Sequence, residues 1–406
     1  MSSTNSSRFT AANTYTISED EKAVYDRQIR LWGLETQNRL RSSTVLVAGL
    51  SGCGSEVSKN LMLTGLKSLT LLDNKTICAD DYCSQFLLQR GSEGKNRAEA
   101  SRQKCQLLNP NVELHVDTGD ISEKDEKFFT NFDLVILVDQ KYAVINQISK
   151  ICRNARKPCD FPGFLSFLNN GNSRRDNVSF YLWIFLKVNF RFIAGGVFGW
   201  IGYAFFDFTD CSFLVTVPKV RTGGILEDDS VRDDSSPAKK QRIGSEVENG
   251  KGGKENKASV NVVLDDDEKI HMTFSYPLWD DAWNVDWTHK RLIRKAKQIL
   301  PRSYFPVRVM LRLQDSDDTV EQEKFIEMWK KELEQCNHML DDEYFNVKYF
   351  SHFVGPQLSP TCAIVGAHIA QEAIKALSQK DDPLRNVFFY SAIDTSGIVC
   401  HLPPIT

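Results

Sequence analysis

Three glycines within six residues, Gly49, Gly52 and Gly54 in GLSGCG, follow a short apolar run and open a helix-like segment. Main-chain amides at such a strand-to-helix turn, aligned with the helix dipole, can cradle a phosphate. Asp73 ends the next apolar run, close to the ~20-residue offset at which a carboxylate meets a ribose hydroxyl. The spacing is G-x-x-G-x-G rather than G-x-G-x-x-G, so two readings stand: a tight structural turn without nucleotide, and an anion held at Gly52 and Gly54. A second chemical feature lies upstream. In SEDEKAVYDRQIRLWG, Ser18 and Glu21 form a capping box, and Tyr25, Ile29 and Trp32 fall on one face of a helix that Gly33 can end. Arg27 and Arg30 project from the opposite face, as solvated charges or as guanidiniums reaching an external anion.

Other chemistries find less support. The ten cysteines are scattered and form no C-x-x-C pair, which argues against a zinc ribbon or redox dithiol. Each reads as a small buried hydrophobe, Cys362 among them, and the polar N-terminus together with unpaired thiols suits a reducing compartment. None of the seven histidines lies near a plausible nucleophile. Lys+Arg number 50 against 53 Asp+Glu, a net charge of −3, so no global basic excess draws the chain to nucleic acid or to an anionic membrane. The most apolar stretch, 179–206, is interrupted by Lys187 and Arg191, and its longest uncharged run, Phe192 to Phe206, is shorter than the ~20 residues that span a bilayer.

Elements that would position these residues follow from the patterning. TVLVAGL, SLTLLD, VELHVD and FDLVILVD are apolar runs, alternating with helical segments that begin at Gly52, at GKNRAEASRQKCQLLN and at YAVINQISKICRNA. Ala98, Ser101, Cys105 and Leu108 share one helical face before Pro110. Repeated βα units with fully apolar strands imply a mainly parallel sheet covered by helices on both faces, a Rossmann-like α/β domain. The segment between Leu214 and Thr273 lacks aromatic residues, and 222–258 reads as a disordered insertion. Its PAKKQR cluster, residues 237–242, is a candidate nuclear-import signal of a kind also common by chance. DDAWNVDWTHKRLIRKAKQIL and EQEKFIEMWKKELEQCN read as helices. A helix with Val365, Ile369, Ala373 and Ala376 in one stripe and the strands NVFFYSAI and GIVCHL then complete the sheet begun before residue 150.

Taken in order, YDRQIRLWG (25–33), GLSGCGSEVSKNLMLTG, SLTLLD, GKNRAEA (94–100) and SPTCAIVGAHIAQEAIKAL closely resemble the small, Aos-type subunits of heterodimeric SUMO-activating enzymes, within the ThiF- and MoeB-like adenylating superfamily. The resemblance spans about 18–158, 191–213 and 270–404. It implies an adenylation-type fold in two pieces, 18–206 and 311–406, after a disordered 1–17. Between them, 207–310 would be half of the domain that surrounds the partner's cysteine. It also implies a large Uba-type partner subunit that holds Mg-ATP, the thioester-forming cysteine and SUMO. An indirect link to the SUMO-conjugating enzyme and a nuclear location follow. Arg27 is implied as a trans arginine that reaches the triphosphate on the partner, where its permanently charged fork stabilises charge developing as acyl adenylate forms.

Departures from the active members define the expected pocket of this chain. Ser51 replaces the second glycine of GxGGxG, and Asp81 and Ser84 stand where an Asn and an Arg are usual. Arg97 takes the place of a phosphate-binding lysine, and Asp139 matches the acidic residue after the fourth strand. The resemblance thus implies a vestigial site at Gly49, Gly52, Gly54, Asp73 and Asp139, with an anionic Asp81 repelling ATP and no cofactor held by this chain. Residues 160–190 match nothing in the family pattern and read as an anomalous insertion, either a lineage-specific loop or a retained intron. The alternatives are the equivalent subunit for another ubiquitin-like modifier, a self-sufficient MoeB- or ThiF-like adenylyltransferase, and a nucleotide-binding dehydrogenase.

Overall fold

A computed structural model describes residues 18–154, 191–220, 264–287, 292, 299–316, 321–335 and 349–403. The expected insertions at 160–190 and 222–258 and the basic cluster at 237–242 lie outside these residues. The apolar runs form β1 (Thr44–Ala48), β2 (Ser68–Leu72), β3 (Glu113–Asp117) and β4 (Leu134–Val138). After them come β5 (Arg191–Phe198), β6 (Ile201–Asp207), β7 (Asp210–Val220), β8 (Leu264–Ser275), β9 (Val387–Ser391) and β10 (Ser396–Cys400).

Eight of these make one sheet in the order β10-β9-β6-β5-β4-β1-β2-β3. Strands β1 to β5 run parallel, with Val47 opposite both Leu71 and Ile136. β6, β9 and β10 add antiparallel pairings. The fold is therefore α/β with a mostly parallel, Rossmann-like sheet. Its central strands read as continuous apolar runs because both faces are covered; every residue of β4 is buried. The chain leaves β1 toward β2 on one side and returns to β4 on the other, so the ends of β1 and β4 form the reversal point where open α/β sheets bind ligands.

The chain divides into two compact units, Met1–Phe213 with Met272–Thr406, and Leu214–His271. The second contains most of the paired strands β7 and β8. The half-domain expected over 207–310 is divided: within 272–310, Trp279, Trp283, Tyr304 and Phe305 join Phe205 and Phe389 in the core of the larger unit. Trp283 lies parallel to Tyr304 with centroids 6.0 Å apart. Burial of such large rings is among the strongest packing contributions available to a domain. Of the helix expected over residues 280–300, Trp279–Trp283 is helical, Asn284 to Trp287 are not, and residues 288–291 and 293–298 lie outside the described residues; a further helix runs over Tyr304–Ser316.

At the N-terminus the expected single helix is two, Glu19–Val24 and Asp26–Trp32, with the capping box of Ser18 and Glu21 in place. The break falls at Tyr25, whose φ of −97° and ψ of 13° carry its ring into the core. The helices Arg97–Leu108, Gln322–Gln335 and Ser359–Ser378 follow the sequence pattern, and Val365, Ile369, Ala373 and Ala376 are all fully buried.

Candidate functional site

The turn after β1 is set by close backbone approach. Gly49 has φ +102°, and a Cβ there would lie 2.0 Å from the Val138 carbonyl oxygen at the end of β4. A Cβ on Gly54 would lie 1.9 Å from the Gly49 carbonyl oxygen. Both glycines are therefore required by the turn itself, whether or not a ligand is present. Ser51 caps the helix Gly52–Thr64. Its hydroxyl accepts from the Gly54 amide at 3.4 Å and donates to Asp139 in a short hydrogen bond.

Gly52 is the position that a phosphate would have to approach, and here it faces protein. A Cβ on Gly52 would sit 2.1 Å from Ser84 Oγ and 3.0 Å from Cys362 Sγ. Ser84 is nearly buried and lies at the end of a 3-10 turn, Ala79–Cys83, that folds over the glycine loop. Gln85 fixes that turn from behind by donating to the Leu50 carbonyl at 3.1 Å and to Ser101 Oγ at 2.9 Å. Burial pushes the Cys362 thiol well above its ordinary pKa, with Asp139 adding to the shift, so Cys362 is a protonated filler and not a nucleophile.

The acidic residues are all engaged. Asp73, 4% exposed, accepts from the Leu50 amide at 2.7 Å and the Lys75 amide at 2.8 Å, and pairs with Arg97 at 3.0 Å. The second arm of Arg97 meets Asp81 at 3.1 Å, and Asp81 also accepts from the Cys78 amide at 3.0 Å. Burial lowers the Arg97 pKa, but Asp73 and Asp81 outweigh burial and hold the guanidinium above its ordinary value. The Asp81 carboxylate thus shares the single Arg97 guanidinium with Asp73 within the fold. Asp139, at φ +52°, accepts from the Val197 amide at 2.8 Å and from Gln357 Nε2 at 2.8 Å as well as from Ser51. Burial still raises its carboxyl above the usual carboxylate range, against the pull of those donors.

The structure therefore brings Gly49, Ser51, Gly52, Gly54, Asp73 and Asp139 together at the reversal point, and their polar groups bond one another. Arg27 is elsewhere. It is exposed on the helix Asp26–Trp32 and makes no ion pair among the described residues, whereas Arg30 pairs with Asp26 at 3.0 Å. Its helix contacts the far end of Gly52–Thr64, where Gln28 Nε2 donates to the Leu63 carbonyl at 2.9 Å. A helix of that length is about 20 Å long. Sequence reasoning missed Gln85 and Gln357, because no periodicity marks a loop glutamine whose partner lies 218 residues away. Asn96 was findable as an N-cap: it accepts from the Ala98 and Glu99 amides and anchors the Asp73 carbonyl at 2.6 Å.

No group of metal-ligating side chains occurs among the described residues, and no described helix is long and apolar enough to cross a membrane. The profile of the ThiF family matches residues 25–402. This chain belongs to the ThiF family. Among its relatives, the SUMO-activating enzyme subunit aos-1 of Caenorhabditis elegans is 33% identical over 400 residues, covering 96% of this chain and 99% of that protein. The SUMO-activating enzyme subunit 1 of Homo sapiens is 34% identical over 401 residues, 96% of this chain and 97% of the relative. The Xenopus tropicalis protein of the same name is 34% identical and covers 94% of this chain.

Proposed function

We propose that this ThiF-family chain is the small, non-thioester subunit of a heterodimeric SUMO-activating enzyme. The reading is supported by near full-length similarity to proteins named as subunits of that enzyme. The observation that carries it is the placement of charge. Asp73, Asp81, Asp139 and Arg97 of the chain's own loop region are bonded internally, while Arg27 stands exposed and unpaired among the described residues.

A loop that holds no nucleotide is supported by Ser84, which lies where a Cβ on Gly52 would sit, and by Asp73, whose two oxygens already accept hydrogen bonds. No chemical step is therefore assigned to this chain's own loop. In the proposed reaction the C-terminal carboxylate of SUMO attacks the α-phosphate of Mg-ATP held by the large Uba-type subunit, and pyrophosphate leaves. A thiolate of that partner then attacks the acyl adenylate and AMP departs. Arg27 supplies a planar cationic fork in trans to the triphosphate. The unit Leu214–His271 is the piece offered to the domain around the partner's cysteine, and the product passes to the SUMO-conjugating enzyme, with the nucleus as the site of action.

The test is Arg27→Ala in the reconstituted heterodimer. SUMO-dependent ATP/pyrophosphate exchange should slow by about tenfold or more, the usual cost of losing one preorganised charge partner, with the heterodimer intact. Exchange at the wild-type rate sinks the role of Arg27, and thioester formation by this chain alone would overturn the subunit assignment.

A further inference from the structure

The helix that carries Arg27 has seven residues, none of them fully buried. A helix so short is marginal in isolation, so its direction depends on what holds it. Two side-chain amides, one phenol and one ammonium do so. Tyr25, one residue before the helix and 2% exposed, drops its ring onto Gly65, where a Cβ would lie 2.5 Å from Tyr25 Cζ. Asn109 Nδ2 donates both to Tyr25 Oη at 2.9 Å and to the Met62 carbonyl at 2.9 Å. Gln28, next to Arg27, donates to the Leu63 carbonyl at 2.9 Å, and Gln37 to the Thr64 carbonyl at 2.8 Å. At the other end, Lys380 Nζ donates to the Trp32 carbonyl at 2.9 Å.

The bonds from Asn109, Gln28 and Gln37 reach the successive carbonyls of Met62, Leu63 and Thr64 in the last turn of Gly52–Thr64, where partners four residues on run out. The same bonds fix where the neighbouring backbone points. Helix Asp26–Trp32 is thereby tied to the largely buried glycine-loop helix at two positions, Tyr25 and Gln28, that flank Arg27.

We propose that Tyr25, Gln28 and Asn109 are positioning residues that aim Arg27 out of this chain and toward the charge it stabilises on the partner. The proposal rests on the trans role assigned to Arg27 above. A long flexible side chain on an untethered helix must be ordered at the moment of reaction, and a displacement of about 1 Å can cost ~100-fold in rate. The clamp removes that cost before the partner's substrate arrives.

Capping alone and positioning make different predictions, and a double-mutant cycle separates them. Gln28 is half-buried, so Gln28→Met keeps the side-chain volume and deletes the donor; Tyr25→Phe deletes the phenol oxygen and serves as the second variant. In the full heterodimer each should lower kcat of SUMO-dependent ATP/pyrophosphate exchange by about three- to tenfold with KM for ATP within roughly twofold. In an Arg27→Ala background neither should slow the enzyme further, because the clamp acts only through Arg27. A lowered melting temperature with wild-type kcat, or rate losses that multiply with Arg27→Ala, overturns the proposal. The two layers fail differently. If Arg27→Ala alone exchanges at the wild-type rate, the trans role falls and the clamp with it. If Arg27→Ala is slow while Gln28→Met and Tyr25→Phe are not, only the positioning role falls.

Discussion

At the N-terminal end of the helix Gly52–Thr64, Ser51, Asp73, Asp81, Arg97 and Asp139 are bonded to one another or to nearby main chain, and Ser84 and Cys362 fill the space beside Gly52. At its C-terminal end, Arg27 is exposed and without an ion-pair partner among the described residues, and Leu31 on the same helix is 71% exposed. One end uses its charge to hold the fold, and the other keeps it available to something outside. A charged group already paired within a low-dielectric fold has little further electrostatic work to offer a ligand, whereas an exposed guanidinium keeps its full bidentate capacity.

The contrast can be broken by substitution, and the largest effect should come from Arg97. Arg97→Met leaves Asp73 and Asp81 buried without a cation and should destabilise the chain by about 3–5 kcal/mol, read from urea unfolding. A loss below 1 kcal/mol would show that the Arg97 bridge between Asp73 and Asp81 is not structural. Gly54→Ala should follow, at about 3 kcal/mol, because its Cβ would meet a main-chain oxygen and the backbone must move. Gly52→Ala should cost less, since its nearest neighbour is the Ser84 side chain, and Ser84→Gly in the same chain should restore most of that loss.

A smaller effect is expected from pH. Burial raises the Asp139 pKa, so the folded chain holds that proton more tightly than the unfolded chain does. Its contribution is full below about pH 4, the unfolded value, and is lost as pH rises through the folded pKa. Urea midpoints of the wild type should therefore fall relative to Asp139→Asn as pH is raised from 3 to 7; parallel curves would remove the assigned shift. The smallest effect on stability should be that of Arg27→Ala, within about 0.5 kcal/mol, since the side chain touches little of its own fold. A variant nearly silent in unfolding and slow in exchange is the sharpest form of the comparison.

Much of this was legible in advance for a physical reason. Strands buried on both faces must be apolar throughout, so TVLVA and LVILV announced β1 and β4, and the stripe Val365, Ile369, Ala373 and Ala376 announced the face of the C-terminal helix. The capping box at Ser18 and Glu21 and the glycine turn are local patterns, set by hydrogen bonds within a few residues. Residues 272–310 escaped because their tryptophans and tyrosine find partners on β6 and β9.

Sequence alone thus determined strands β1 to β4, β9 and β10, the helices Gly52–Thr64, Arg97–Leu108, Gln322–Gln335 and Ser359–Ser378, the resemblance of family and the exposed direction of Arg27, all of which depend on residue type and short spacing. Only the tertiary structure decided the state of the loop region. Ser84 enters the space beside Gly52, Arg97 spans Asp73 and Asp81, and Gln357 reaches Asp139 across 218 positions. Those contacts join residues that share no period and no neighbourhood in the chain, and they form only because the βα crossovers bring the ends of β1, β2 and β4 to one edge of the sheet.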